Sequence, residues 1–372
     1  MKRLLFTVCL LTHVLSCEDA DSPRALAVVN GKEFLPDKVA IVENGTGLQL
    51  QLAGASESIR LWLTQKESGT YAIFNTSPAN NPVVLLPQEP GFSVVEYVNA
   101  AGKLFYGVSG SITINVGQRY AKGSFSFEAE SAEGEEVTVV RGEFFQSLSK
   151  PDFYGCAVAT IARLGNGLVT LNSFGYDSDG NINMIVKQES LEQAWSPEHA
   201  RYVFLSYAGG KITAITEVAL SVTGNSVYRE YSFVTYRDDK IESIRKGPGL
   251  EATFDYNDQG LLTSVTYTNG FSASIAYDAN GNFVSPSLPL YDNKRNYATS
   301  LLASLQNQQA LTVFFSDLFY AFPSPGSRNN PLRVGDFELA YEYNAAGYPT
   351  SVRYVNAPGS LANFELTYFG CQ

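Results

Sequence analysis

Between about Leu26 and Leu148, apolar residues return at every second position in a series of short runs: "LQLQLAG", "IRLWLTQ", "GTYAIFN", "SITINVG", "GSFSFEAE" and "EEVTVVRGEFF". A period of two is that of a β-strand with one face on a core and the other in water. Turn-rich pieces such as "ENGTG" and "SPANNP" separate the runs. Short strands at this spacing predict an all-β domain over residues 26–150, a sandwich or a barrel.

Beyond residue 150 the alternation continues under a repeated frame. In "FGYDSDGNINMI" Asp177, Asp179 and Asn181 surround Gly180, a gathering of oxygen atoms that raises the possibility of a calcium loop. A loop of EF-hand type with Gly180 at its sixth position would begin at Gly175 and end at Val186, where an acidic residue and a bidentate glutamate are required. The frame also recurs without its acids. "TFDYNDQGLLTSV" has Asn257 and Gly260, "SIAYDANGNFV" has Asp278 and Gly281, and "AYEYNAAGYPTSV" has Asn344 and Gly347. "FLSYAGGKITAI" and "FVTYRDDKIESI" are weaker copies. What persists is an aromatic, an Asp or Asn, a glycine and renewed alternation, the chemistry of a hairpin turn. No metal site is expected.

Tyr236, Tyr256 and Tyr277 lie 20 and 21 residues apart, which fits one two-stranded unit per period. The region 151–372 is therefore expected to form an antiparallel sheet of repeated hairpins with one or two short helices. Longer connections interrupt it at 189–201 and 286–331, and "ATSLLASLQ" in the latter predicts a helix. At single positions a tyrosine in this pattern is expected to fill a core rather than meet a ligand.

Composition narrows the chemistry. The chain has 372 residues, 22 Tyr and 23 Phe against 2 Met and 2 Trp, which suits pleated, half-buried surfaces. Its net charge of −11 repels phosphate backbones, so nucleic acid is excluded as a partner. Only His13 and His199 are present, too few for a polyhistidine metal site, and "SPEHARY" places His199 just after a Ser-Pro pair that predicts a helix start.

The N-terminus opens with Lys2 and Arg3, continues apolar from Leu4 to Leu15, and reaches Ser16-Cys17. This is a secretory signal over 1–16. It falls short of the about 20 apolar residues that span a bilayer. Glu18, Asp19 and Asp21 make an acidic tether over 17–25. Cys156 and Cys371, near the ends of the second domain, are candidates for a disulfide. Asn44-Gly45-Thr46 and Asn75-Thr76-Ser77 match glycosylation sequons and read more simply as turns.

Val14-Leu15-Ser16-Cys17 resembles the lipobox of bacterial lipoproteins, with Leu15 a minor departure. The resemblance implies cleavage before Cys17 and acylation of its thiol and amine, so that the lipid bilayer becomes a partner through Cys17. The acidic tether is similar to the stretch that follows the lipidated cysteine in surface-exported lipoproteins of some Gram-negative bacteria. "VNGKEF", "GTYAIFN", "GSITIN", "GSFSFEA" and "GEFF" together resemble a small β-domain, without assigned function, found after such anchors. The second domain resembles the tyrosine-aspartate repeats of RHS-type proteins. It is more similar still to exported lipoproteins of unassigned function that carry an insert like "YDNKRNY" followed by "SRNNP". Asn181, Leu261, Asn282 and Tyr348 stand where RHS repeats carry arginine, which weighs against a closed shell around a cargo.

No P-loop, Cys-x-x-Cys pair or dinucleotide fingerprint appears, and neither catalytic residues nor a cofactor are expected. Two roles follow. One is a non-catalytic, outer-membrane-anchored surface module that binds a glycan or a protein. The other is a scaffold on the periplasmic face that holds an envelope partner. A carboxylate pair for glycoside hydrolysis stays open as a third, since only geometry selects such a pair.

Overall fold

The computed structural model describes residues 24–44, 47–79, 91–149, 155–165, 168–191, 194–220, 227–247, 249–284, 290–319, 327–355 and 363–371. Cys17, the tether up to residue 23 and His13 lie outside the described residues. The fold is all-β, with three short helices.

Ten strands form the first sheet: β1 (Arg24–Val29), β2 (Lys32–Phe34), β3 (Lys38–Asn44), β4 (Gly47–Ala53), β5 (Ser58–Leu63), β6 (Gly69–Ala72), β7 (Ser93–Val98), β8 (Leu104–Val116), β9 (Tyr120–Ser131) and β10 (Glu136–Ser149). Antiparallel pairing runs β3-β4-β5-β7-β8-β9-β10, and β10 returns to β3 through a parallel contact of Leu148 with Ile41 and Ser149 with Val42. The ring is closed, so this domain is a barrel with β1 and β2 added outside β10. Leu48, Leu50 and Leu52 of β4 and Ile59, Leu61 and Leu63 of β5 point into it, as the alternation predicts. Two reciprocal pairs allow the long β9–β10 ribbon to curl. Phe125 faces Gly142 and Phe144 faces Gly123, and a Cβ on Gly142 would stand 2.3 Å from the Phe125 ring.

The second sheet has fourteen strands. Its meander comprises β11 (Ala157–Gly165), β12 (Leu168–Tyr176), β13 (Ile182–Leu191), β14 (Ala194–Ala208), β15 (Lys211–Leu220), β16 (Val227–Arg237), β17 (Lys240–Lys246), β18 (Leu250–Tyr256), β19 (Leu262–Tyr267) and β20 (Ser272–Ser274). A small pair, β21 (Tyr291–Arg295) and β22 (Asn329–Pro331), brackets α1 (Tyr297–Ser304), α2 (Gln309–Phe314) and α3 (Ser316–Phe319). The chain then adds β23 (Arg333–Val334), β24 (Phe337–Tyr343), β25 (Pro349–Val355) and β26 (Asn363–Phe369), the last of which pairs β11. The "ATSLLASLQ" helix is thus present as α1, capped by the Asn296 side chain on Ala298 N–H. One face of the sheet packs against Leu301, Leu305, Leu311, Phe315, Leu318 and Phe319, so the repeats form a shell around their own helices.

Two expectations about residues 189–201 are corrected. The stretch is the end of the β13–β14 hairpin, and His199 lies in strand β14 rather than in a helix. Ser190 pairs Trp195 and Gln188 pairs Ala200, so residues 196–199 bulge opposite the single residue Glu189. Pro197, which has no N–H to give to a ladder, is accommodated in that bulge.

The expectation that the first domain leaves its second face in water fails for β4, β5 and β7. Trp62, Phe74, Phe92 and Val94 form a core with Met184, Val186, Tyr202 and Phe204 of the repeat sheet. Trp62 and Phe204 stand 5.6 Å apart between ring centroids, and Phe92 and Tyr202 5.3 Å. The run "SVVEYV" of β7 is buried on both faces for this reason. Polar positions within the seam pair across it: Asn183 donates to Gln49, Ser206 to Glu96, and the Arg60 guanidinium to the Tyr207 carbonyl at 2.7 Å.

Candidate functional site

The "YDSDGN" segment is a turn whose carboxylate is committed to its own backbone. Asp177 Oδ1 accepts from the N–H groups of Asp179 and Asn181, both at 2.9 Å, and Gly180 closes the loop at φ 81°. Asn257 accepts likewise from Gln259 and Leu261 at 3.0 Å, and Asp278 from Asn280 and Asn282 at 2.8 Å. Asn344 accepts from Tyr348 at 3.0 Å. An amide oxygen serves where a carboxylate does, as expected of a structural cap. The two weaker copies are a different turn. Gly209-Gly210 and Asp238-Asp239 are two-residue loops with both residues at positive φ, the geometry of type I′. Burial lifts the Asp177 carboxyl above its usual range, more than the amide donors hold it down.

The frame tyrosines join one hairpin to the next. Tyr176 pairs Ile182, Tyr236 pairs Ile241 and Tyr343 pairs Pro349 immediately after their turns. Tyr207 OH donates to the Ile182 carbonyl at 2.6 Å, Tyr256 OH to Ile241 at 2.9 Å and Tyr368 OH to Pro349 at 2.7 Å. Their rings lie in or against the shell core.

A glutamine run that sequence reasoning passed over seats the helices on those turns. Gln306 Nε2 donates to the Gly210 carbonyl at 2.6 Å. Gln308 takes Ile241 N–H at 3.2 Å and donates to the Asp239 carbonyl at 3.0 Å, while Gln309 takes Leu262 N–H at 2.7 Å. Three successive hairpins are thus gripped by "QNQQ" at 306–309. The signal was present as a polar cluster directly after an apolar helix, but its partners are 47 to 96 residues away.

"YDNKRNY" and "SRNNP" are the paired strands β21 and β22. Asp292 accepts from Asn330 N–H at 3.0 Å and from Asn330 Nδ2 and Tyr343 OH, and Asn330 Nδ2 also donates to the Arg295 carbonyl at 3.1 Å. Beside them a cavity of about 10 Å³, lined by Asn296, Asn330, Tyr341 and Leu366, has room of the order of one water.

Charged groups inside the shell neutralise one another. Glu217, 3% exposed, binds Arg201 and, at 3.0 Å, Lys246. Lys246 also reaches Glu230 at 2.9 Å, and Arg201 reaches Asp317 of α3 at 2.7 Å. Burial opposes the charges on Arg201 and Lys246, yet their carboxylate partners outweigh it and both titrate above their usual values. Glu217 and Glu230 are bridged by a cation rather than set across a cleft. At the seam, burial raises Glu96 above the usual carboxylate range although Arg60 and Ser206 pull it down.

Cys156 and Cys371 are joined by a disulfide, with Cα atoms 4.5 Å apart, where β11 meets β26. The sequon at Asn75 is folded inward: Thr76 and Ser77 are buried, and Asn75 Oδ1 takes the Arg229 guanidinium at 3.0 Å. The sequon at Asn44 runs out of the described residues.

A wide concavity lies on the outside of the barrel. A groove of about 880 Å³ runs over β8, β9, β10 and β1 under the overhang of Leu35–Val39. Leu26, Leu35, Pro36, Val39 and Phe145 give it apolar walls, and Lys122, Asp37 and Glu143 stand along it. Among the described residues no group of three or more His, Cys, Asp or Glu side chains is arranged to hold a metal ion.

A scan against protein-family models found no match, and a search of curated proteins found none either. Among solved structures the chain is similar to a porin-like protein from Bacteroides uniformis ATCC 8492, at 10% sequence identity over 89% of this chain and 100% of that one. The TM-score is 0.16, which carries neither architecture nor function across.

Proposed function

We propose that this chain is an exported lipoprotein, held in the outer membrane through acylated Cys17, that works without catalysis as a surface module binding a glycan or a protein. The plugged shell is the observation that supports this best. Its inner face is filled by α1–α3, its buried charges are paired, and its turns and tyrosines bond to backbone. Contact with anything else therefore falls to the outside of a stiff body. A scaffold role facing the periplasm is the second reading. Exposed Phe271 and Val284 near the short edge strand β20 favour it as a place for a protein partner.

Protease shaving of intact cells, following a C-terminal epitope with a periplasmic protein as leak control, separates the two. Loss of the epitope supports the surface module. Protection of an epitope that is cleaved after lysis supports the scaffold. Labelling with radioactive palmitate, lost in Cys17→Ser, tests the anchor itself.

A further inference from the structure

The barrel wall made by β9, β10 and β1 lies across the ring from β4, β5 and β7, which carry the shell. Of the nine large apolar side chains exposed among the described residues, Leu26, Leu35, Tyr120 and Val140 gather on or beside it. They form one surface. Val28 pairs Val140, Leu26 and Leu35 line the same groove, and the Tyr120 ring stands 5.4 Å from that of Phe145, which lines it too. Lys32, Arg119, Lys122 and Arg141 are exposed around it, with no carboxylate within 4.0 Å among the described residues.

From these observations we infer that this wall rests on a phospholipid surface, with the four apolar side chains entering the headgroup boundary and the cations meeting phosphates. Chain length agrees with this, and here the inference rests on the anchor reading. Six residues lie between Cys17 and Arg24, and the seven steps of chain reach at most about 25 Å, so an acylated Cys17 keeps β1 close to the bilayer. The shell, on the opposite wall, then points away from the membrane. An aromatic such as Tyr120, with an apolar ring and a polar tip, suits that boundary. Glu33, Asp37, Glu128, Glu136 and Glu143 are exposed on or beside the same wall, so its charge is mixed, apolar contact supplies most of the affinity and binding depends only weakly on salt.

The test uses the mature chain, residues 17–372, with Cys17→Ser so that no acyl chain contributes; every described strand is retained. It is sedimented with vesicles of phosphatidylethanolamine and phosphatidylglycerol. Leu26→Glu/Leu35→Glu is expected to lower the vesicle-bound fraction at least about tenfold. The control Leu290→Glu/Leu332→Glu, exposed outside the barrel wall, is expected to leave it unchanged. All four sites are exposed, and unchanged melting confirms that both variants fold. Equal binding by the wall variant, or an equal loss in the control, overturns the inference. So does a wall variant that abolishes self-association in sedimentation velocity without altering vesicle binding, because the occupant is then a second copy. Palmitate labelling is scored separately, so failure of the anchor reading and failure of the wall are distinguishable.

Discussion

Ser206 of β14 donates its hydroxyl to Glu96 of β7 across the seam between barrel and shell, in a place where both side chains are closed off from solvent. This bond puts an ionisable group inside the contact that fuses the two sheets. It also makes the seam sensitive to pH.

Burial raises Glu96 above its ordinary value of 4.5, so the folded chain holds a proton that the unfolded chain releases. Its contribution is complete below that ordinary value and is lost as pH rises through the raised one. Glu96→Gln keeps an acceptor for Ser206 and removes the titration. As pH rises above 4.5 the parent is expected to lose more thermal stability than Glu96→Gln. Equal slopes in melting temperature against pH would show that Glu96 does not govern the seam.

Trp62, 1% exposed, fills the seam against Phe204. Trp62→Ala is expected to cost about 3–5 kcal/mol and to split unfolding in denaturant into two transitions, because barrel and shell lose their shared core. A single transition shifted by less than about 1 kcal/mol would mean that the sheets are fused by other contacts.

Gln308→Ala leaves the Ile241 N–H and the Asp239 carbonyl without their partner. A loss of about 1–3 kcal/mol is expected, with faster hydrogen exchange at Ile241 than in the parent. Gln306→Ala, whose bond is exposed, is expected to cost less than about 1 kcal/mol.

Asp177→Asn keeps the oxygen that caps the turn, as Asn257 and Asn344 already do in their own turns. It is expected to match the parent within about 0.5 kcal/mol, whereas Asp177→Ala loses about 1–2 kcal/mol. Chemical denaturation of both variants decides this. A large loss in Asp177→Asn would mean that the carboxylate has a role beyond the turn.

The Cys156–Cys371 bond closes 215 residues of separation. Cys371→Ser is expected to lose up to about 5 kcal/mol, the ceiling of the loop-entropy model. Non-reducing electrophoresis should show the parent, but not the variant, running faster than its reduced form.

Much of the fold could be read from the chain. Alternation such as Leu48-Leu50-Leu52 marks strands because a pleat sends neighbours to opposite sides. Asp177, Asn257, Asp278 and Asn344 with their glycines mark turns because side chain and backbone there are within five residues of each other. Val94 and Val95 on opposite faces of β7 hinted that both faces are buried, but alternation does not say against what.

For this protein, local order therefore determined what depends on a few consecutive residues: strand period, turn chemistry and an all-β fold. Only the tertiary structure decided what depends on distant partners. The return of β10 to β3 closes the barrel, and Gln306–Gln309 seat the helices on turns made by chain far upstream. Trp62 meets Phe204 across 142 residues, and Leu26, Leu35, Tyr120 and Val140 converge from separate strands and the loop after β2. The physical reason is that pleat and turn are set by neighbouring backbone torsions. Closure and docking instead repay the entropy of joining remote segments, with a complementarity that no local pattern records.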